Sequence, residues 1–63
     1  MKRKLLLRRL KENGWYFKGH GTNHDFWTNG EVYKSIPRHN DISEWLAKNI
    51  IRIAKDNPRN YGV

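Results

Sequence analysis

Three histidines, His20, His24 and His39, stand in a chain of 63 residues that contains no cysteine. An imidazole titrates near neutrality and can give or take a proton. Without cysteine there is no disulfide scaffold, no Cys-ligated zinc module and no thiol nucleophile. Carboxylates are few, six in all, and no two sit at a spacing that suggests paired acid–base work or a magnesium cluster. His20 and His24 are four residues apart, a ligand spacing on a helix, but Gly19 and Gly21 break any helix there. Metal binding is therefore not expected, and solvated turn histidines are the simpler reading of that pair. His24 differs, because it lies where a glycine-rich turn enters a strand-forming run beside aromatic residues. One proton-transfer group matters most when the substrate brings its own nucleophile. RNA does so, since its 2′-hydroxyl can attack the adjacent phosphate. The protein then supplies a proton shuttle and cations for the developing charge. Lys18, Lys34, Arg38 and His39 are the candidate cations. The plain alternative for His24 is a solvated surface histidine.

Charge points the same way. Lys and Arg number 13 against 6 Asp and Glu, a net +7. Such an excess on so small a surface favours a polyanion, first of all nucleic acid. Six of the cations precede position 12, with no acid before Glu12. Lys4, Arg8 and Lys11 fall on one face of a helix and are candidate phosphate contacts. A solvated face, or a dock for an acidic protein, is the competing reading. Trp15, Phe17, Phe26 and Trp27 could stack on bases. Most of them are expected in the core, because a domain of this length has few other ways to fill its interior. Alternation sends Phe26 and Trp27 to opposite faces of their strand.

These residues need elements to hold them. Residues 2–13 read as an amphipathic helix with Leu6, Leu7 and Leu10 on one face, stopped by Asn13-Gly14. Trp15 to Lys18 reads as a strand, Gly19 to Asn23 as a glycine-rich turn, and His24 to Thr28 as a second strand. Asn29-Gly30 predicts a type I′ hairpin turn into a third strand, Glu31 to Ile36, which Pro37 ends. A second helix follows, capped by Asp41 with Glu44 or by Ser43. Its stripe is Ile42, Leu46, Asn49, Ile50 and Ile53, and Asp56-Asn57-Pro58 stops it. Short turns make the sheet antiparallel, and two singly striped helices share one of its faces. The expected fold is α+β: a two-layer α-β-β-β-α sandwich like that of double-stranded-RNA-binding domains. Residues 1–55 form one domain and 56–63 a loose tail. The longest fully apolar run is Leu5 to Leu7, far short of the ~20 residues of a membrane span. The basic start resembles a signal peptide only faintly, because Arg8 and Arg9 interrupt it, so the expected location is cytoplasmic.

Between about Leu6 and Ala54 the chain resembles the HicA-type toxins of bacterial toxin–antitoxin pairs. The resemblance rests on four pieces in order: the helix ending in Asn13-Gly14, the strand Trp15-Tyr16-Phe17-Lys18, the Gly-x-x-His turn Gly21-Thr22-Asn23-His24, and Ile36-Pro37-Arg38-His39. The last leads through Asp41-Ile42 into a helix carrying Ala47, Ile50, Ile51 and Ala54. The resemblance implies a double-stranded-RNA-binding-like fold and a metal-independent ribonuclease, without cofactor, that cuts mRNA and so blocks translation. It makes His24 the catalytic residue and implies a HicB-type antitoxin that covers it, often with a DNA-binding domain that represses the operon. The family usually has serine before that histidine, where this chain has Asn23. A second histidine often follows, where this chain has Asp25, expected here to be solvated. A non-catalytic RNA-binding module of the same fold is the alternative.

Overall fold

The computed structural model describes residues 1–59. Helix α1 (Arg3–Glu12) is followed by β1 (Tyr16–His20), β2 (His24–Thr28), β3 (Tyr33–Pro37) and helix α2 (Glu44–Asp56). The strands form one antiparallel sheet in the order β1-β2-β3. Leu6 and Leu10 of α1, Trp27 and Ile36 of the sheet, and Ala47, Ile50 and Ala54 of α2 share one buried cluster with Trp15 and Ile42. Both helices therefore cover the same face, as expected. No helix among the described residues is long and apolar enough to cross a membrane.

The helix ends follow local chemistry. At the end of α1, Gly14 takes φ 83°, its N–H donates to the Lys11 carbonyl, and the Trp15 N–H donates to that of Leu10. This is a Schellman cap, and it drops the Trp15 indole into the core beside Leu10. At α2, Ser43 is the N-cap and its Oγ accepts from the Leu46 N–H at 3.3 Å. Asp41 instead pairs with Lys2 (3.0 Å), and the Glu44 carboxylate receives the Met1 amino group (2.8 Å). The buried stripe of α2 runs through the small residues Ala47 and Ala54, which let the helix approach the sheet. Asn49 is only half-buried, and its amide donates to the Trp45 carbonyl.

Two features of the sheet and one of the C-terminal segment depart from expectation. First, β1 runs on to His20, because a bulge leaves Lys18 unpaired between the Phe17–Trp27 and Gly19–Phe26 pairs. The turn is correspondingly short, residues 21–23. Second, the β2–β3 loop is not type I′, which needs positive φ at both central residues. Only Gly30 has it, at 103°. Asn29 forms an Asx turn instead, its Oδ1 accepting from the N–H groups of Glu31 and Val32, both at 2.8 Å. Third, the segment after α2 is tied down as far as residue 59. The Asn57 carbonyl accepts from Trp15 Nε1 (2.9 Å) and from Asn29 Nδ2 (2.8 Å). The Arg59 N–H donates to the Asn13 carbonyl, and its guanidinium lies 4.9 Å over the Tyr16 ring. The rest of the expected tail, residues 60–63, lies outside the described residues.

Pairing and pleat then sort the side chains. Phe17, His20, Asp25, Trp27, Lys34 and Ile36 take the helix side. Tyr16, Gly19, His24, Phe26, Tyr33, Ser35 and Pro37 take the open side.

Candidate active site

The site begins at the Gly21–His24 turn. The turn closes on itself, with the Gly21 N–H donating to the His24 carbonyl at 2.7 Å. Arg38, just past β3, then grips its main chain. Arg38 Nη1 donates to the Thr22 carbonyl (3.2 Å), and Nη2 donates to the carbonyls of Gly21 and of His24. The same guanidinium is fixed from behind by Asp25, whose Oδ1 accepts from Arg38 Nε at 2.9 Å.

Asp25 is the hub. It is buried, against the expectation of a solvated carboxylate, because alternation turns it away from His24 and under α1. Its Oδ2 accepts from Arg3 Nη2 at 2.7 Å and its Oδ1 also accepts from His20 Nδ1–H at 2.7 Å. Arg3 is placed by the short pairing of Lys2 with Asp41, and its Nε donates to the Pro37 carbonyl (2.8 Å). The hydrogen bonds from His20 and then Arg38 hold the Asp25 carboxyl down at a pKa of about 2, against the opposing effect of burial.

Gly21 is required by space. A Cβ there would lie 2.9 Å from Phe26 Cε2 and 3.1 Å from the His24 carbonyl oxygen. The phenyl ring can shift, but the carbonyl belongs to the clamped turn. Gly21→Ala is therefore expected to displace the His24 main chain. Chemical-shift changes should spread over residues 21–25, with a lower Tm. A spectrum altered at residue 21 alone would show that the turn absorbs the methyl group.

His24 itself sits at the exposed start of β2, and among the described residues its imidazole has no hydrogen-bond partner. It lines one open concavity with Asn23, Arg38 and His39, and a neighbouring one with Pro37, His39, Asp41, Ile42, Ser43 and Leu46. The structure thus brings His24, Arg38 and His39 together. Arg38 is less free than a phosphate-binding cation would be, since four of its N–H groups are already engaged. Lys34 lies half-buried on the helix side of β3, away from the face of His24. Lys18 projects from the bulge and is exposed. Lys4, Arg8 and Lys11 line a shared groove along α1 with Leu7, as their helical spacing predicts. Lys11 Nζ also lies 5.9 Å over the Trp27 ring. Sequence reading passed over Arg3 and His20 as partners of Asp25. Among the described residues, no group of three or more His, Asp or Glu side chains could hold a metal ion.

A small α+β domain that presents a histidine on a braced glycine turn, beside a basic helix, is the class this geometry defines. A family model described as the HicA toxin of bacterial toxin–antitoxin systems matches residues 3–55. The chain belongs to that family and is the toxin of a toxin–antitoxin system. No curated protein and no solved structure gives a significant match.

Proposed function

We infer that this toxin is a metal-independent endoribonuclease that cuts mRNA and so halts translation, with His24 as its catalytic residue. One observation carries the reading. An exposed imidazole without a partner stands on a turn whose main chain is held by Arg38 and, through it, by a buried carboxylate. That combination suits a group that must meet an external proton in a fixed position. The 2′-hydroxyl of the substrate attacks the adjacent phosphorus, and the bond to the 5′-oxygen of the next nucleotide breaks. A 2′,3′-cyclic phosphate and a 5′-hydroxyl result. One proton leaves the 2′-oxygen and one reaches the departing oxygen, and His24 carries one of these transfers. His39 and Lys18 lie on the exposed side for the phosphate charge, and Lys4, Arg8 and Lys11 add non-specific affinity along α1. Lys34 and Arg38 serve the strand and the turn rather than the phosphate.

The partner that neutralises it is a HicB-type antitoxin covering His24, and the place of action is the cytoplasm. The functional unit is the domain of residues 1–55 together with the segment through Arg59 that docks on it. The test is cleavage of a single-stranded mRNA fragment by the purified chain in EDTA. Discrete products ending in cyclic phosphate, suppressed by the cognate antitoxin, are expected. Binding with a steep salt dependence but no cleavage would leave a non-catalytic RNA-binding module in its place.

A further inference from the structure

The open face of the sheet carries an aromatic residue whose placement the reaction has not yet explained. Phe26 is 41% exposed. It stands two residues from His24 on the same side of the same strand, about 7 Å along at the usual rise per residue. Its cross-strand neighbours are the small Gly19 and Ser35. At Gly19 an added Cβ would meet nothing within 4 Å, so that flank of the ring is open. On the side toward the turn, the ring edge lies over Gly21, the residue whose missing side chain makes room for it. The result is a flat, accessible ring beside the catalytic turn, with the exposed cation Lys18 next to Gly19.

We propose that Phe26 is a nucleobase subsite, on which a base flanking the scissile phosphate stacks when that phosphate lies at His24. The proposal rests on the ribonuclease reading for the location of the phosphate. Every base has a π-face, so such a shelf adds affinity without demanding a sequence. It does demand an unpaired base, because bases in a duplex are already stacked on one another and A-form helices are read by shape and backbone. This toxin therefore selects single-stranded segments, although its fold is that of a duplex binder. Tyr16 is a poorer shelf, because Arg59 already lies over its ring. The net charge of +7 favours a polyanion over an apolar protein segment as the occupant.

Binding separates this subsite from cleavage. In the His24→Ala background, where RNA survives, the Kd of a short single-stranded oligoribonucleotide is measured by fluorescence anisotropy. The comparison is between Phe26, Phe26→Tyr, Phe26→Leu and Phe26→Ala, each checked for fold by circular dichroism. Phe26→Leu keeps apolar volume without a flat ring. Phe26→Leu and Phe26→Ala should both weaken binding about 5- to 150-fold, and Phe26→Tyr should stay within about 2-fold. An abasic oligonucleotide and a duplex should bind all four alike. A Phe26→Leu variant that binds as tightly as its parent overturns the proposal. So does a Phe26→Ala variant that keeps its RNA affinity but escapes the antitoxin, because the face is then a protein-docking surface. Loss of affinity in Phe26→Leu with an uncleaved wild-type substrate keeps the subsite and removes the ribonuclease.

Discussion

His24→Ala is expected to lower the RNA-cleavage rate by about 10²- to 10⁴-fold, the usual contribution of a positioned general acid or base. The domain should stay folded, because the imidazole is exposed and supports no other side chain. Its stability should remain within about 0.5 kcal/mol of wild type, the normal range for a surface substitution. The Kd for uncleaved RNA should change little, since the proposed sources of affinity are the basic helix and stacking rather than His24. In cells the variant should be expressed without growth arrest. The measurement is single-turnover cleavage in EDTA beside a thermal melt. Cleavage at the wild-type rate by a folded His24→Ala variant would remove this residue from the chemistry. Loss of both cleavage and fold would show that His24 is structural, contrary to its exposed position.

The second large effect lies behind the site. Asp25→Asn keeps the shape of the side chain but removes the charge that Arg3, His20 and Arg38 share. It also turns an N–H₂ toward one of those donors, so that one of three charge-assisted bonds is replaced by a clash of donors. Tm should fall well below that of a Lys2→Ala control, which breaks the exposed Lys2–Asp41 pair and should cost little. Cleavage should fall too, with His24 intact, because Arg38 loses the anchor that aims it at the turn. The pH dependence has a definite sign. The folded carboxyl titrates at about 2, below its ordinary value of 3.8. The stabilisation is therefore complete above about pH 4 and is lost as pH falls toward 2. Urea midpoints measured across that window should drop more steeply in wild type than in Asp25→Asn. Parallel pH profiles would mean that the carboxylate contributes nothing to stability.

Local chemistry made most of the fold legible. The leucines of α1, the Asn13-Gly14 stop, the span of β2 and the choice of Ser43 as one possible cap all depend on neighbours within a few residues. The Asp25 cluster does not. Its partners stand 22, 13 and 5 residues away in the chain, so only the closed sheet and the docked helix bring them together. In sequence Arg38 looks like a substrate cation for the same reason, since nothing nearby reveals that three carbonyls of an earlier turn will face it. Asn29-Gly30 misled in another way. It is a strong signal for a two-residue turn, but the Asn29 amide finds a better set of partners in its own loop and in Asn57. The position of His24 could be read from its glycine turn. The open or covered state of each aromatic required the register.

The unpaired Lys18 has a consequence for how this strand can change length. Plain alternation from Phe17 would put Gly19 under the helices and His20 on the open face. The extra residue reverses both, delivering a glycine to the flank of Phe26 and an imidazole to Asp25. A single-codon deletion at position 18 would thus remove only the bulge, joining Phe17 to Gly19 in plain alternation and leaving Gly19 opposite Phe26 and His20 on Asp25. The strand can therefore shorten at position 18 without changing what either of its faces presents, and the exposed Lys18 side chain is all that such a deletion removes.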